Sequence, residues 1–80
     1  MELAEEFAED DVWDAGDMGC GELLILLRKR LRDMPGGTLK LIASDTGAIE
    51  DIPAYCRITG HELRRAVHPA YWIRARTNML

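Results

Sequence analysis

Across three residues, Pro35-Gly36-Gly37, the spacing of apolar side chains changes from a helical period to a strand period. Upstream, Leu24, Leu27, Leu31 and Met34 recur at steps of three and four. That is the stripe of an amphipathic helix, expected over Gly21 to Met34. Downstream, Leu39, Leu41 and Ala43 alternate with Thr38, Lys40, Ile42 and Ser44, which predicts a strand with one buried face. Proline cannot continue a helix and glycine suits the turn, so a helix gives way to a strand at this point. In a chain of 80 residues, such a joint belongs to a single small domain. A chain of this size buries only about 60% of the surface its unfolded form exposes, so its core is thin.

The flanks extend the pattern. "DVWDAG" (11–16) reads as a strand, and the glycine-punctuated "GDMGCG" follows as its exit loop. "DTG" (45–47) closes the second strand and can cap a helix over Ala48 to Thr59, with Ile49, Ile52, Cys56 and Thr59 on one face and Gly60 as the stop. Pro53 predicts an irregular first turn, because it disfavours helical geometry at Ile52 and lacks a donor. "HELRRAVH" and "AYWIRAR" flank Pro69 as a hairpin. The predicted order is βαβαββ. The first strand, helix and second strand make a right-handed parallel crossover, and the hairpin adds antiparallel pairing. The expected fold class is therefore a two-layer α/β (α+β) sandwich: a mixed four-stranded sheet with two helices packed on one face.

Charge divides the chain. Residues 1–19 carry eight acids and no base, whereas the rest carries six acids and all ten bases. We divide the chain into an acidic N-terminal arm, residues 1–10, and one domain, residues 11–80. The arm is either solvated tail or a segment that folds over the basic face and competes with an anionic partner. With a pI near 5.0, the whole protein is not a generic binder of nucleic acid. The longest apolar run, Leu23 to Leu27, ends at Arg28, far short of the ~20 residues a membrane span needs. No basic stretch followed by an apolar one opens the chain, so a cytoplasmic protein with no membrane partner is expected. Two cysteines make no disulfide framework there. Cys20, Cys56, His61 and His68 lack zinc-site spacing, so no metal is expected.

Cys20 stands between two glycines at the start of the first helix. The first N–H groups of a helix lack internal partners, and its dipole places about half a positive charge there. A thiolate or persulfide at Cys20 is expected to be stabilised, with a pKa below the free value of ~8.5. Gly19 and Gly21 leave the sulfur open to another protein, while the Glu22 carboxylate opposes a second anion. The competing expectation is a small apolar residue packed against the sheet. Cys56 falls on the apolar stripe of its helix and reads as core.

Several blocks together resemble the TusA-like (SirA/YeeD-type) family of small sulfur-carrier proteins and sulfurtransferases. They are "WDA" at 13–15, Cys20 five residues on, "SDTG" at 44–47, "DIPAYC" at 51–56 and "TGHEL" at 59–63. The resemblance covers roughly residues 12–76. It implies the two-layer sandwich above, and it implies that Cys20 carries sulfane sulfur covalently as a persulfide, with no separate cofactor. The implied partners are a cysteine desulfurase or rhodanese-like donor and a downstream acceptor, serving tRNA thiolation, cofactor biosynthesis or sulfur metabolism. The family's Cys-Pro-x-Pro is here Cys20-Gly21-Glu22-Leu23. Glycine loses the proline's rigidity but restores an N–H donor, so the expected site is looser yet better at holding an anion.

Gly21, Ile25, Arg28 and Arg32 recur at four, three and four residues, a second stripe running from Cys20. It reads as a partner-docking rail, or as solvated flank. In the family, basic residues at the positions of Arg28 and Arg32 contact the sulfur donor. Trp72, Arg74 and Arg76 alternate along the last strand and form a nucleic-acid patch, although RNA binding is disfavoured by the pI. The family fold is also similar to an RNA-binding domain of a bacterial translation initiation factor. His61 is expected to hydrogen-bond its turn. The alternative function is a non-catalytic interaction or regulatory module on the same fold.

Overall fold

The computed structural model describes residues 8–77. The first seven residues of the acidic arm, and with them most of that assignment, lie outside the described residues. Strand β1 (Asp11–Gly16), helix α1 (Cys20–Arg32), strand β2 (Thr38–Ala43), helix α2 (Ala48–Thr59), strand β3 (Glu62–Val67) and strand β4 (Ala70–Arg74) follow in the expected order. The sheet runs β1-β2-β4-β3. β1 pairs parallel with β2, and β4 pairs antiparallel with both β2 and β3.

Alternation along the strands sends one side-chain set into the core. Leu39, Leu41 and Ala43 of β2 and Tyr71 and Ile73 of β4 are buried with Leu23, Leu27 and Leu31 of α1 and Ala48, Ile52 and Cys56 of α2. These residues form one cluster, so both helices cover the same face of the sheet. The buried stripe of α1 runs through Leu23, and Leu24 and Met34 pack only at its margin. Leu27 and Leu31 belong to both the expected and the observed stripe, so the helix keeps its expected setting and only the edge of the buried face shifts, by about 20°, from Leu24 toward Leu23. In α2 the expected Ile52 and Cys56 are buried, and the edge of the face likewise shifts, burying Ala48 and leaving Ile49 half exposed.

The ends of the helices follow local chemistry. α1 stops at Arg32, before the proline. α2 runs through Pro53 and ends at Gly60, whose φ of 86° is open to glycine at no cost. The opening of α2 is tightened, as expected. Its amides at Ala48, Ile49 and Glu50 reach back three residues, to the carbonyls of Asp45, Thr46 and Gly47, before Asp51 makes the first four-residue bond. Gly47 holds the cap position without a side-chain hydrogen bond.

Candidate functional site

Because β1 and β2 are parallel, the loops that leave them emerge at the same end of the sheet. Two bonds stitch those loops together. The Ser44 amide and the Ser44 hydroxyl both donate to the Gly16 carbonyl, each at 2.9 Å. Gly16 itself turns the chain with φ near 60°. One loop delivers Cys20 as the first residue of α1, and the other delivers Asp45 and the start of α2. The sulfur therefore sits where two helix N-termini converge.

Cys20 is partly exposed and unbonded to Cys56, which is buried in the core. Its thiol donates to Asp45 Oδ2 at 3.4 Å. Asp51 approaches from α2. A Cβ added at Gly47 would lie 3.0 Å from Asp45 Oδ2, 3.5 Å from Cys20 Sγ and 3.6 Å from Asp51 Oδ2. The bare glycine thus keeps a small gap between the sulfur and two carboxylates. Partial burial, hydrogen bonds to Asp45 and Asp51, and the negative charge of both push the Cys20 thiol from 9.0 up to about 12. The expectation of a lowered pKa is overturned. The amide ends of two helices favour an anion, but partial burial first, and then the two carboxylates, outweigh the half-charges of helix termini. The opposing acids are also not Glu22, which is exposed in the first turn.

Gly19 and Gly21 are exposed, and a Cβ at either would touch nothing within 4 Å. The sulfur has no bulky flank there. Beneath the site, the Tyr71 ring is buried in the core and its hydroxyl meets His68 Nδ1 at 2.5 Å. Burial raises the Tyr71 pKa, and the Cys20 charge adds to the effect.

The remaining expected residues fall into place unevenly. Ile25 is 71% exposed, and Arg28 and Arg32 lie beside it on the solvent side of α1. Arg28 is close enough to partly offset the upward shift that burial gives the Tyr55 hydroxyl. Tyr55 precedes Ile58 by three residues on α2, and Ile58 is 82% exposed. Ile58 lies off the apolar face of Ile49, Ile52, Cys56 and Thr59, and that position is the signal that could have marked it as exposed. Trp72 and Arg74 share the face of the sheet opposite the helices, but Arg76 does not join them. It lies beyond β4, with its guanidinium donating to the Thr59 carbonyl at 2.9 Å and its amide to His61 Nδ1 at 3.1 Å. Lys40 and Arg65 flank Trp72 in its place. His61 is buried at the far end of α2 from Cys20, and instead of bonding its own turn it accepts the Arg76 amide from the strand end beside it. The twelve residues of that helix span about 18 Å. Among the described residues, no group of three His, Cys, Asp or Glu side chains is placed to hold a metal ion.

Asp45 and Asp51 were the residues that sequence reasoning missed. Both stand inside the quoted blocks "SDTG" and "DIPAYC". Parallel pairing of the two strands was the signal that could have brought them to Cys20, since sites in such sheets collect at the carboxyl ends of the strands.

The fold and the site define a class first: a small two-layer α/β domain that presents one thiol at the edge where two helices begin. Within that class, the family model for sulfurtransferase TusA matches residues 12–75, and the chain belongs to that family. It is 39% identical over 74 residues to the sulfur carrier protein TusA of Pseudomonas aeruginosa PAO1, spanning 86% of this chain and 94% of the relative. The corresponding protein of Pseudomonas putida GB-1 is 37% identical over 78 residues, covering 91% and 98%. That of Pseudomonas fluorescens SBW25 is 39% identical over 79 residues, covering 92% and 95%. No helix among the described residues is long and apolar enough to cross a membrane.

Proposed function

We propose that the chain is a sulfur carrier that accepts sulfane sulfur as a persulfide on Cys20 and passes it to a partner protein. Membership of the TusA family supports the carrier role. The observation that selects the residue is the contrast between the two cysteines: Cys20 is partly exposed at a loop edge, and Cys56 is 3% exposed within the core.

The step balances without a cofactor. The Cys20 sulfur attacks the outer sulfur of a donor persulfide, R–S–SH. A sulfur–sulfur bond forms as the donor's own breaks, and the donor leaves as R–SH. The Cys20 proton, held toward Asp45 at 3.4 Å before reaction, ends on the departing thiolate, so no proton is gained or lost overall. Transfer to the acceptor repeats the exchange with Cys20 as the leaving thiol. A thiol held near 12 is scarcely ionised at neutral pH and is a poor nucleophile by itself. A donor that sets a cation against Asp45 and Asp51 would offset both carboxylates and release the sulfur for reaction.

Docking runs down α1 from the sulfur, through Ile25, Arg28 and Arg32, and across to Ile58 on α2. Two exposed isoleucines beside cations suit a partner with an acidic rim and an apolar centre. A cysteine desulfurase or a rhodanese-like protein in the cytoplasm is the donor class we infer, with a sulfur-accepting protein downstream. The high thiol pKa favours a second reading, a non-catalytic regulatory module on the same fold.

One experiment separates the two. The protein is incubated with a cysteine desulfurase and cysteine, then weighed intact. A gain of one sulfur atom, lost in Cys20→Ser and kept in Cys56→Ala, is the expected outcome. No gain in the unmodified chain would leave the regulatory reading in possession.

A further inference from the structure

Among the described residues no helix covers the second face of the sheet, and its chemistry is independent of Cys20. Register places Val12, Lys40, Trp72 and Arg65 in one row across all four strands. Alternation puts them opposite the buried set of Leu39, Leu41, Tyr71 and Ile73. Lys40 Nζ lies 5.3 Å and Arg65 Cζ 5.9 Å from the centroid of the Trp72 ring. Arg74 follows on the same face of β4, exposed.

Two acids on this face are engaged elsewhere. Asp14 Oδ1 accepts the Gly16 amide at 2.9 Å, and Glu62 Oε1 meets Arg64 at 3.7 Å. A third acid reaches in from outside the sheet. The Trp72 indole N–H donates to Glu9 Oε1 at 3.3 Å, across 63 residues of sequence. Asp10 fixes the approach of Glu9. Its amide donates to the Thr38 carbonyl at 2.7 Å, and its carboxylate accepts the Thr38 amide at 2.8 Å. Before Glu9 the sequence holds Glu2, Glu5 and Glu6 and no base.

We propose that this uncovered face is an anion-binding surface whose occupant is the chain's own acidic N-terminal segment, anchored by Glu9 on Trp72. Charge complementarity carries the assignment: cations around an aromatic ring on one side, and on the other a sequence with Glu2, Glu5, Glu6 and Glu9 and no basic side chain. Tethering does the rest, because a segment joined to β1 meets the face at high effective concentration. An aromatic ring flanked by cations is also the surface on which single-stranded nucleic acid stacks. The segment acts as a built-in competitor that keeps polyanions off this face. If it covers the face about nine-tenths of the time, the affinity for an outside polyanion falls about tenfold.

The test compares the full chain with a variant in which Glu2, Glu5, Glu6 and Glu9 are all replaced by Gln. One readout is the indole N–H resonance of Trp72, told from that of Trp13 with a Trp13→Phe variant. The other is binding of a short oligouridylate at low salt. The expected results are a moved Trp72 resonance and about tenfold tighter oligouridylate binding in the variant. That gain disappears when Lys40 and Arg65 are also changed to Glu. Unchanged core methyl resonances show that each variant is folded. A Trp72 resonance indifferent to the four substitutions would overturn the proposal. So would equal oligouridylate binding by both chains, which would give the face to nucleic acid instead.

Discussion

At the scale of single residues, the chemistry rests on the 3.4 Å contact between Cys20 and Asp45. A carboxylate this close stabilises the thiol as a donor and opposes the thiolate, so the pair holds the sulfur in its protonated form. Asp45→Asn removes the charge and keeps a group of the same shape. The thiol pKa then falls from about 12, and alkylation by iodoacetamide at neutral pH quickens by about threefold for each unit of the fall, since the roughly tenfold gain in thiolate is partly offset by its lower nucleophilicity. A pH profile of alkylation that is the same in both proteins would show that Asp45 does not govern the sulfur. Gly47 belongs to the same pair, since any side chain there would press on Asp45 Oδ2 at 3.0 Å.

At the scale of elements, α1 divides its surface between stability and recognition. Leu23, Leu27 and Leu31 are fully buried, and the arginines on the other side contribute little to folding. Charge reversal at Arg28 and Arg32 together is expected to slow sulfur uptake from a donor by about tenfold or more, with the urea midpoint nearly unchanged. Equal uptake rates would remove the docking role. Gly21 is the weak link of this helix, because a glycine inside a helix costs about 0.5–1 kcal/mol relative to alanine. The space around it is open, so Gly21→Ala should stabilise the protein by that amount, read from urea unfolding. In α2, the buried Cys56 and the exposed Ile58 show the same division over two residues.

At the scale of the whole molecule, buried ionisable groups set a pH window for stability. His61 is 5% exposed, and burial followed by the Arg76 charge lowers its pKa below the ordinary 6.5. As pH falls through 6.5, the unfolded chain takes up a proton that the folded one refuses. Stability is therefore full above that pH and declines below it. On the alkaline side, burial raises Cys56 from 9.0 to about 11 and also raises Tyr55. The unfolded chain loses those protons first, so stability declines again as pH climbs past 9. Urea midpoints should thus be highest between about pH 7 and 8.5, and His61→Gln should flatten the acidic limb. An acidic limb of equal slope in that variant would assign it to other groups.

The elements of this protein were written in local pattern. The change of period at Pro35-Gly36-Gly37, the alternation of β2 and the glycines at 16, 47 and 60 are near-neighbour facts, and near-neighbour geometry is what a sequence displays. So was the place of Cys20 at a helix start. The buried side of each helix was legible too, through Leu27, Leu31, Ile52 and Cys56; only its edge, Leu23 against Leu24 and Ala48 against Ile49, is decided by the sheet beneath. The acidity of the site was not legible at all. Asp45 stands 25 residues from Cys20 in the chain, and only the parallel crossover of β1 and β2 lays its carboxylate against the sulfur. Arg76 shows the same rule, since the strand ends before it and the turn at His61 claims it. Sequence by itself determined the elements and the thiol's position, because those depend on bonded neighbours. The sulfur's protonation and the make-up of each charged surface depend on through-space distances of a few ångströms, and tertiary structure alone sets those.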